Sequence, residues 1–453
     1  MGISSLSSSE HVPHSPGITE CFLGVEPGDI PFREQVGSTD FSGLSDAYGS
    51  ATDAANELER LLGDSVEIRA AERYLLGTVL HQSTSWPVTA TVAELLVRGL
   101  NDPALRNGLP AVFTFLANVA DAPADVGMPM DEDFSDILLR DGVDQRARLA
   151  DLIRGGASPD EVEDALDLGA AWAYEEIFAH ARSWWKQIDR FLAEPGRGAG
   201  TDDLPPFTIG LAGFALARLA ALLDASEGGA AGAGAGESET IGRAASWSDA
   251  TGERLRRLLS TGRVLELTDR RVLVRALGNI QPTEEYLEDA DRLTRIAAAL
   301  SPSLARDARA LTLLAGALGE AAELDAMLDR PEYLTVLLNL PNMIARLTAA
   351  TVDTDVLVVA GIGCLRWTRQ SGTGLFQTLR FLPRIFPNPA EGSELTRLSP
   401  AQCRYLGALL GEGDLFEQFT AAGTAETYRA TGLPSTRRGC AKLIRRSERA
   451  NRA

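Results

Sequence analysis

Four histidines, four cysteines and 63 carboxylates are the residues from which this 453-residue chain could build a reactive site. His81 stands in "HQSTSWPVTATVAELL" (81–96), beside Gln82, Thr84 and Trp86. An imidazole among an amide, hydroxyls and an indole can form a ligand site. The same residues suit a corner between two helices. A helix ending near Leu80 leaves carbonyls without partners, and one starting near Val88 leaves bare amides. Histidine, glutamine, serine and threonine satisfy such groups. Pro87 stops the first helix and biases Trp86 to extended geometry. Trp86 is then expected to pack across the joint with its indole N–H on a carbonyl. The corner accounts for the whole stretch.

A second histidine lies in "AWAYEEIFAHARSWWKQIDRF" (171–191). Glu176 and His180 are four apart and share a helix face. With a third ligand the pair could hold a metal, but a zinc site needs three or four ligands. His81 is the one other histidine within a periodic segment. Trp172, Tyr174, Phe178, Trp184, Trp185 and Phe191 form the densest aromatic cluster. Such clusters are usually core, yet these residues span more than one face, so some could line a partner-binding groove. The candidate interaction or structural residues are therefore His81, Gln82, Thr84, Trp86, Trp172, His180, Trp184 and Trp185.

Other chemistries are weaker. "DEDFSD" (131–136) offers Asp131, Glu132, Asp133 and Asp136, which could hold magnesium and a diphosphate as in terpene synthases. The second metal motif of those enzymes is missing and aromatics are only 6 %, so a solvated acidic loop is expected. "VDTDVLVVAGIGCLRWTRQ" contains Gly361-Ile362-Gly363, but Arg366 occupies the place of the third glycine of a dinucleotide fingerprint, and no βαβ alternation surrounds it. Close helix–helix contact explains those glycines better. No GxSxG elbow or P-loop is present. Cys21, Cys364, Cys403 and Cys440 form no CxxC pair, so single buried thiols in a reducing cytoplasm are expected. No catalytic residue, cofactor or metal is assigned.

The elements that position these residues read as helices. Alanine, leucine and arginine dominate, while β-branched and aromatic residues are sparse. "DPALRNGLPAVFTFLANVAD" (102–121) and "SPSLARDARALTLLAGALGE" (301–320) share a capping residue, a following proline and apolar residues at matching offsets. "SPAQCRYLGALLGE" (399–412) opens the same way. Spacings of three, four and seven predict further helices at about 42–63, 66–80, 88–100, 143–154, 166–193, 207–224, 249–260, 284–299, 331–347, 353–369 and 373–386. "RRVLVRALGNI" fits a helix ending at Gly278. Short links and no closing sheet point to an all-α fold, an α-solenoid of HEAT-like antiparallel helical pairs in which neighbours cover each other's apolar faces. The expected division is a disordered tail at 1–38, a helical-repeat lobe at 39–224, a Gly/Ala-rich linker at 225–240, a second lobe at 241–436 and a basic tail at 437–453.

The formal charge is −20, which repels nucleic-acid phosphate over most of the surface. Residues 437–453 run the other way, with seven basic residues and Glu448, a net of +6. They read as a docking tail for an acidic surface or as a solvated final helix whose cations suit its C-terminal end. No secretory signal is visible, and no apolar run is long enough to span a bilayer; "TIGLAGFALARLAALLD" comes closest.

Three stretches resemble a group of actinobacterial HEAT-repeat proteins. "FSGLSDAYGSATDAANELERLL" (41–62) is similar to the group's opening helix and its "HAYG-A-D-P" stretch, with Asp46 in place of the usual His. "GTVLHQSTSWPVTATVAELLVRGLND" (77–102) is similar to its "HQGTVY-AT" motif through His81, Gln82, Thr84, Thr89 and Ala90. Ser83 replaces the usual Gly, and Ser85-Trp86 replaces Val-Tyr. The segment 398–444 is similar to the closing helices, including a "GLP-SR" turn at Gly432, Leu433, Pro434 and Ser435. The resemblance covers roughly 41–121 and 398–444. It implies an α-solenoid and supplies no reaction.

The expected function is a non-catalytic cytoplasmic scaffold that binds a protein partner, with no membrane and no nucleic acid apart from the basic tail. The alternatives are an enzyme, lyase-like or metal-dependent, with its site in the concave surface, and a HEAT-like nucleic-acid-binding protein.

Overall fold

In a computed structural model the chain is 76 % helix and 3 % strand, an all-α protein. The structure describes residues 30–125, 134–140, 143–156, 165–194, 204–232, 246–260, 265–323, 340–372, 374–387 and 395–452. The chain divides into two compact units, 1–269 and 270–453.

The first unit opens with α1 (Phe32–Ser38), α2 (Ala54–Glu59), α3 (Ser65–Tyr74) and α4 (Pro87–Arg98). It continues through α5 (Leu109–Asp125), α6 (Ser135–Leu138), α7 (Gln145–Arg154), α8 (Ala165–Ala193), α9 (Thr208–Gly232) and α10 (Trp247–Ser260). Helix α11 (Leu267–Ile280) spans the division. Among the described residues three short antiparallel strand pairs punctuate the helices: β1 (Ser45–Asp46) with β2 (Gly49–Ser50), β3 (Leu80–His81) with β4 (Thr84–Ser85), and β5 (Leu139–Arg140) with β6 (Val143–Asp144).

Helix α8 is the spine of this unit. Its 29 residues make a rod of about 44 Å, and α4, α5, α6, α7 and α9 all pack on it. Helix α9 packs in turn on α5 and α10. It is long and apolar enough over Thr208–Glu227 to cross a membrane, yet most of its apolar window is buried within the fold. Its first turn is capped from a distance. The Gly210 amide donates to Asp269 Oδ1 at 2.6 Å, and burial pushes the Asp269 carboxyl up to about 6.

The second unit contains α12 (Arg292–Ala299), α13 (Ala308–Gly319), α14 (Leu340–Ala349), α15 (Thr354–Ser371), α16 (Leu375–Leu379) and α17 (Phe381–Ile385). It ends with α18 (Pro400–Gly411), α19 (Leu415–Thr420), α20 (Ala425–Ala430) and α21 (Arg437–Arg452). Packing follows chain order: α12 on α13, α13 on α15, α15 on α18, α18 on α21. Alongside, α17 contacts both α14 and α20.

Several boundaries differ from the periodicity. The helix expected at 42–63 is a loop and the β1–β2 hairpin as far as Asp53. Asp46 Oδ1 accepts the Tyr48 amide at 2.9 Å, and Gly49 sits at φ 142°, which closes a turn where apolar spacing suggested a helix. The helix expected at 66–80 turns into a wider π-type turn over Leu75–Val79 before the β3–β4 hairpin. The paired segments 102–121 and 301–320 do behave alike. Each proline leads a 3₁₀ turn, Pro103–Gly108 and Pro302–Leu304, and the α-helix starts several residues later. Of the helix expected at 373–386, the described residues form two short helices, Leu375–Leu379 and Phe381–Ile385; 284–299 opens with a 3₁₀ turn over Glu284–Tyr286, and its α-helix starts only at Arg292, where Asp291 caps the first turn. Of the expected tail at 1–38, α1 is ordered with Phe32 and Val36 buried; residues 1–29, including Cys21, lie outside the described residues. Helix α9 runs through the first half of the linker expected at 225–240, and 233–240 lie outside the described residues. The acids Asp131, Glu132 and Asp133 also fall outside them.

The glycines of "AGIGCL" are packing residues. A side-chain carbon at Gly363 would overlap the carbonyl oxygen of Leu318 and the backbone of Gly319, and one at Gly361 would meet the Tyr405 ring. Helices α13 and α15 thus touch backbone to backbone. Gly363→Ala is expected to cost about 3 kcal/mol in chemical denaturation. Gly316→Ala, on the same α13 but facing open space, should instead gain up to about 1 kcal/mol from helix propensity.

Candidate functional site

The residues singled out by sequence fall into two separate groups. His81 and His180 share no hydrogen bond, ion pair or ring contact.

The first group is the corner between α3 and α4. The chain leaves the π-type turn and reverses through Gln82 and Ser83, both left-handed at φ 52° and 63°. A two-residue hairpin of this kind needs positive φ at both central positions, and neither residue is glycine. Leu80 and His81 pair in register with Ser85 and Thr84. His81 Nδ1 lies 3.0 Å from the Gly77 carbonyl oxygen, one of the acceptors freed where the helix ends. Thr89 closes the other side: its Oγ1 accepts the Trp86 amide at 2.8 Å and donates to the Val79 carbonyl at 2.7 Å. One threonine therefore serves both a bare amide and a bare carbonyl. The expectation for the Trp86 indole is corrected. Trp86 is half-buried, and its Nε1 has no hydrogen-bond partner among the described residues, while the nearby Val79 carbonyl is taken by Thr89.

The β1–β2 hairpin lies against this corner, with the Ala47 amide donating to the Thr78 carbonyl at 3.1 Å. It presents Tyr48, 73 % exposed, whose hydroxyl is 3.4 Å from His81 Nδ1 and whose ring meets the imidazole edge-on at 5.4 Å. Beneath it burial raises the Asp46 carboxyl above its usual range. Burial, then the Asp46 charge, raises the Tyr74 phenol. The sequence reading did not place Tyr48 beside His81; the signal was the shared short-loop chemistry of Asp46 and Gly49.

The second group is an ionic cluster between α4, α7 and α8. Its hub is Glu94, on a helix whose residues from Pro87 to Val97 are all buried. Glu94 Oε1 accepts from Arg98 Nε at 2.6 Å, and Oε2 accepts from Trp184 Nε1 at 2.7 Å. His180 stacks on the Trp184 ring with centroids 6.0 Å apart. Its Nδ1 is 3.7 Å from Glu94 Oε2 and its Nε2 is 3.5 Å from Glu176 Oε2. Two carboxylates on opposite ring nitrogens are both served only by a doubly protonated ring. The Glu176 contact holds the His180 pKa above its ordinary value against the opposing effect of burial, and Glu94 adds to the rise. Beyond Glu176, the buried Arg146 donates to Glu175 at 2.5 Å and through two nitrogens to Asp144.

This cluster can hold and release a proton at His180, whose side chain is one-third exposed. The two carboxylates at His180 face opposite ring nitrogens, while Asp144, Glu175 and Glu176 gather on the Arg146 guanidinium. Among the described residues no group of three or more His, Cys, Asp or Glu is placed to hold a metal ion. The aromatic residues around it are packed inward. Trp172, Tyr174 and Trp184 are fully buried and Phe191 nearly so. Trp185 is half-buried, donates to Thr251 Oγ1 at 2.9 Å and meets Trp247 edge-on. Among the described residues no aromatic side chain of α8 is exposed, because helices pack on it from several sides. Glu94, Arg98 and Arg146 were missed by sequence reading, although a carboxylate inside an unbroken apolar helix, with an arginine four residues on, was a visible signal.

No protein-family model, curated protein or solved structure matches the chain.

Two outcomes follow from this geometry. Ser83→Gly relieves a left-handed non-glycine residue and is expected to raise stability by about 1 kcal/mol in a denaturant titration. The raised His180 pKa means that its charged form favours folding. That contribution is complete below about pH 6.5 and is lost as pH rises through the folded-state value. In an NMR titration His180 should deprotonate above the ordinary histidine range, and Glu176→Gln should bring it down.

Proposed function

We propose that the chain is a non-catalytic scaffold, an α-solenoid of HEAT-like helical pairs that binds a protein partner. The observation that carries this reading is the ordered packing of residues 292–452. Each long helix rests on the one before it, and a second set of short helices runs alongside. Such a stack needs only neighbour-to-neighbour burial and leaves a broad face for a partner. The resemblance of 41–121 and 398–444 to actinobacterial HEAT-repeat proteins points the same way.

The polar cluster supports a structural role over an enzymatic one. Glu94 is taken up by Arg98, Trp184 and His180, and Arg146 by Asp144 and Glu175. Each of these groups is thus engaged by another member of the cluster. A cytoplasmic setting fits Cys364, Cys403 and Cys440, all free and buried.

The test is purification of the tagged full-length chain from its native cells, with the mass of the complex measured by light scattering. A partner protein at one fixed stoichiometry is the expected result. A turnover that disappears in His180→Ala while melting is unchanged would replace the scaffold with an enzyme.

A further inference from the structure

The formal charge of −20 hides a sharp asymmetry. Residues 1–269 carry 20 Lys and Arg against 43 Asp and Glu, a net of −23. Residues 270–453 carry 23 against 20, a net of +3. The cationic excess of the second unit gathers on α21, the last helix in the packing order.

Helix α21 has two faces with separate duties. Cys440, Leu443 and Ser447 are buried against the α18 side. Ser447 Oγ accepts the Leu398 amide at 2.9 Å, and Asn451 donates to the Leu398 carbonyl at 3.1 Å. Arg437, at the start of the helix, is also used internally, through Glu417 and the carbonyl oxygens of Leu410 and Gly413. The other six cations are different. Arg438, Lys442, Arg445, Arg446, Arg449 and Arg452 are all exposed and make no ion pair with any described residue. Five of them, Arg438, Lys442, Arg445, Arg449 and Arg452, follow one another at intervals of four, three, four and three. That spacing keeps them on one line of the helix surface for about 21 Å.

We propose that this stripe is a docking surface for an acidic helix of a partner protein. A solvated end helix needs polar residues on its outer face but has no need for one sign at one phase. Carboxylates at the same four–three intervals on a second helix would meet the stripe position by position, as flanking charges do between paired helices. Arginine, five of the six, forms two-pronged bonds to carboxylate. A membrane surface fits less well, because in-plane binding uses an apolar face and that of α21 is already buried. Single-stranded nucleic acid would lack stacking partners, since residues 437–452 contain no aromatic residue. A duplex carries a charge about every 1.7 Å of its axis, and beyond the stripe the rest of the second unit, residues 270–436, offers it no cationic excess, summing to −3.

The proposal rests on the scaffold reading in taking the partner to be a protein. The experiment is fluorescence anisotropy with the full-length chain and three probes at equal salt. These are a peptide of about 18 residues with Glu at four–three intervals, a peptide of the same composition in scrambled order, and a duplex of about 20 base pairs. The patterned peptide is expected to bind at least about ten-fold more tightly than either alternative, with an affinity that falls as salt rises. Arg445→Glu with Arg449→Glu should abolish binding and leave the melting curve unchanged, because both side chains are exposed. Equal or tighter binding of the duplex or the scrambled peptide, or peptide binding that survives the double substitution, overturns the proposal, as does no binding at low salt. A stoichiometric complex retained by the double variant would keep the scaffold and discard the stripe.

Discussion

A single buried carboxylate sets the arrangement of the first unit. Moving Glu94 out of water costs several kcal/mol unless its oxygens are fully engaged. The helix that carries it is apolar along its length, so α4 can be buried only where something answers that charge. Arg98, one turn on, supplies half the answer, and the α8 residues Trp184 and His180 supply the rest. The indole N–H is equally dependent on Glu94, being buried itself. This mutual need fixes how far α4 and α8 can slide past each other, which apolar packing alone fixes loosely. Other polar ties on α8 hold it elsewhere: Glu175 with Arg146, and Asp189 with Arg254 through two nitrogens.

Long helices were legible because their apolar stripes repeat over many turns. The span read as 166–193 is helical over Ala165–Ala193, and 353–369 over Thr354–Ser371. Legibility failed where a few apolar residues mimic a stripe across a turn. Leu44, Ala51, Ala54, Leu58 and Leu61 are all buried and fall near helical intervals, yet the first two flank a hairpin closed by Asp46 and Gly49. Side-chain bonds to the backbone over two residues decide such segments, and hydrophobic period does not register them. The same gap explains the late start of α12, where Asp289 and Asp291 hold their own loop.

Of the candidate residues, the pairing of Glu176 with His180 was readable because both sit on one helix at a known interval. Glu94 comes from a helix some eighty residues earlier, and no spacing rule joins the two. The Thr89 bridge at the corner was legible only in outline: free carbonyls and amides had to be met there, but which hydroxyl meets them depends on the reversal at Gln82 and Ser83. Net charge misled in a different way. A whole-chain value averaged an acidic first unit with a second unit that is slightly basic, and so gave the body of the chain a uniform acidity that it does not have.

Where Gly363 lies on the backbone of Leu318 and Gly319, no side chain stands between the two helices. Junctions filled by leucine or isoleucine can yield a little, since those side chains switch rotamers and trade small volumes. A contact made of main chain has nothing to switch. Helices α13 and α15 therefore travel as one stiff plate, and any flexing of the second unit is left to the softer seams on either side of it.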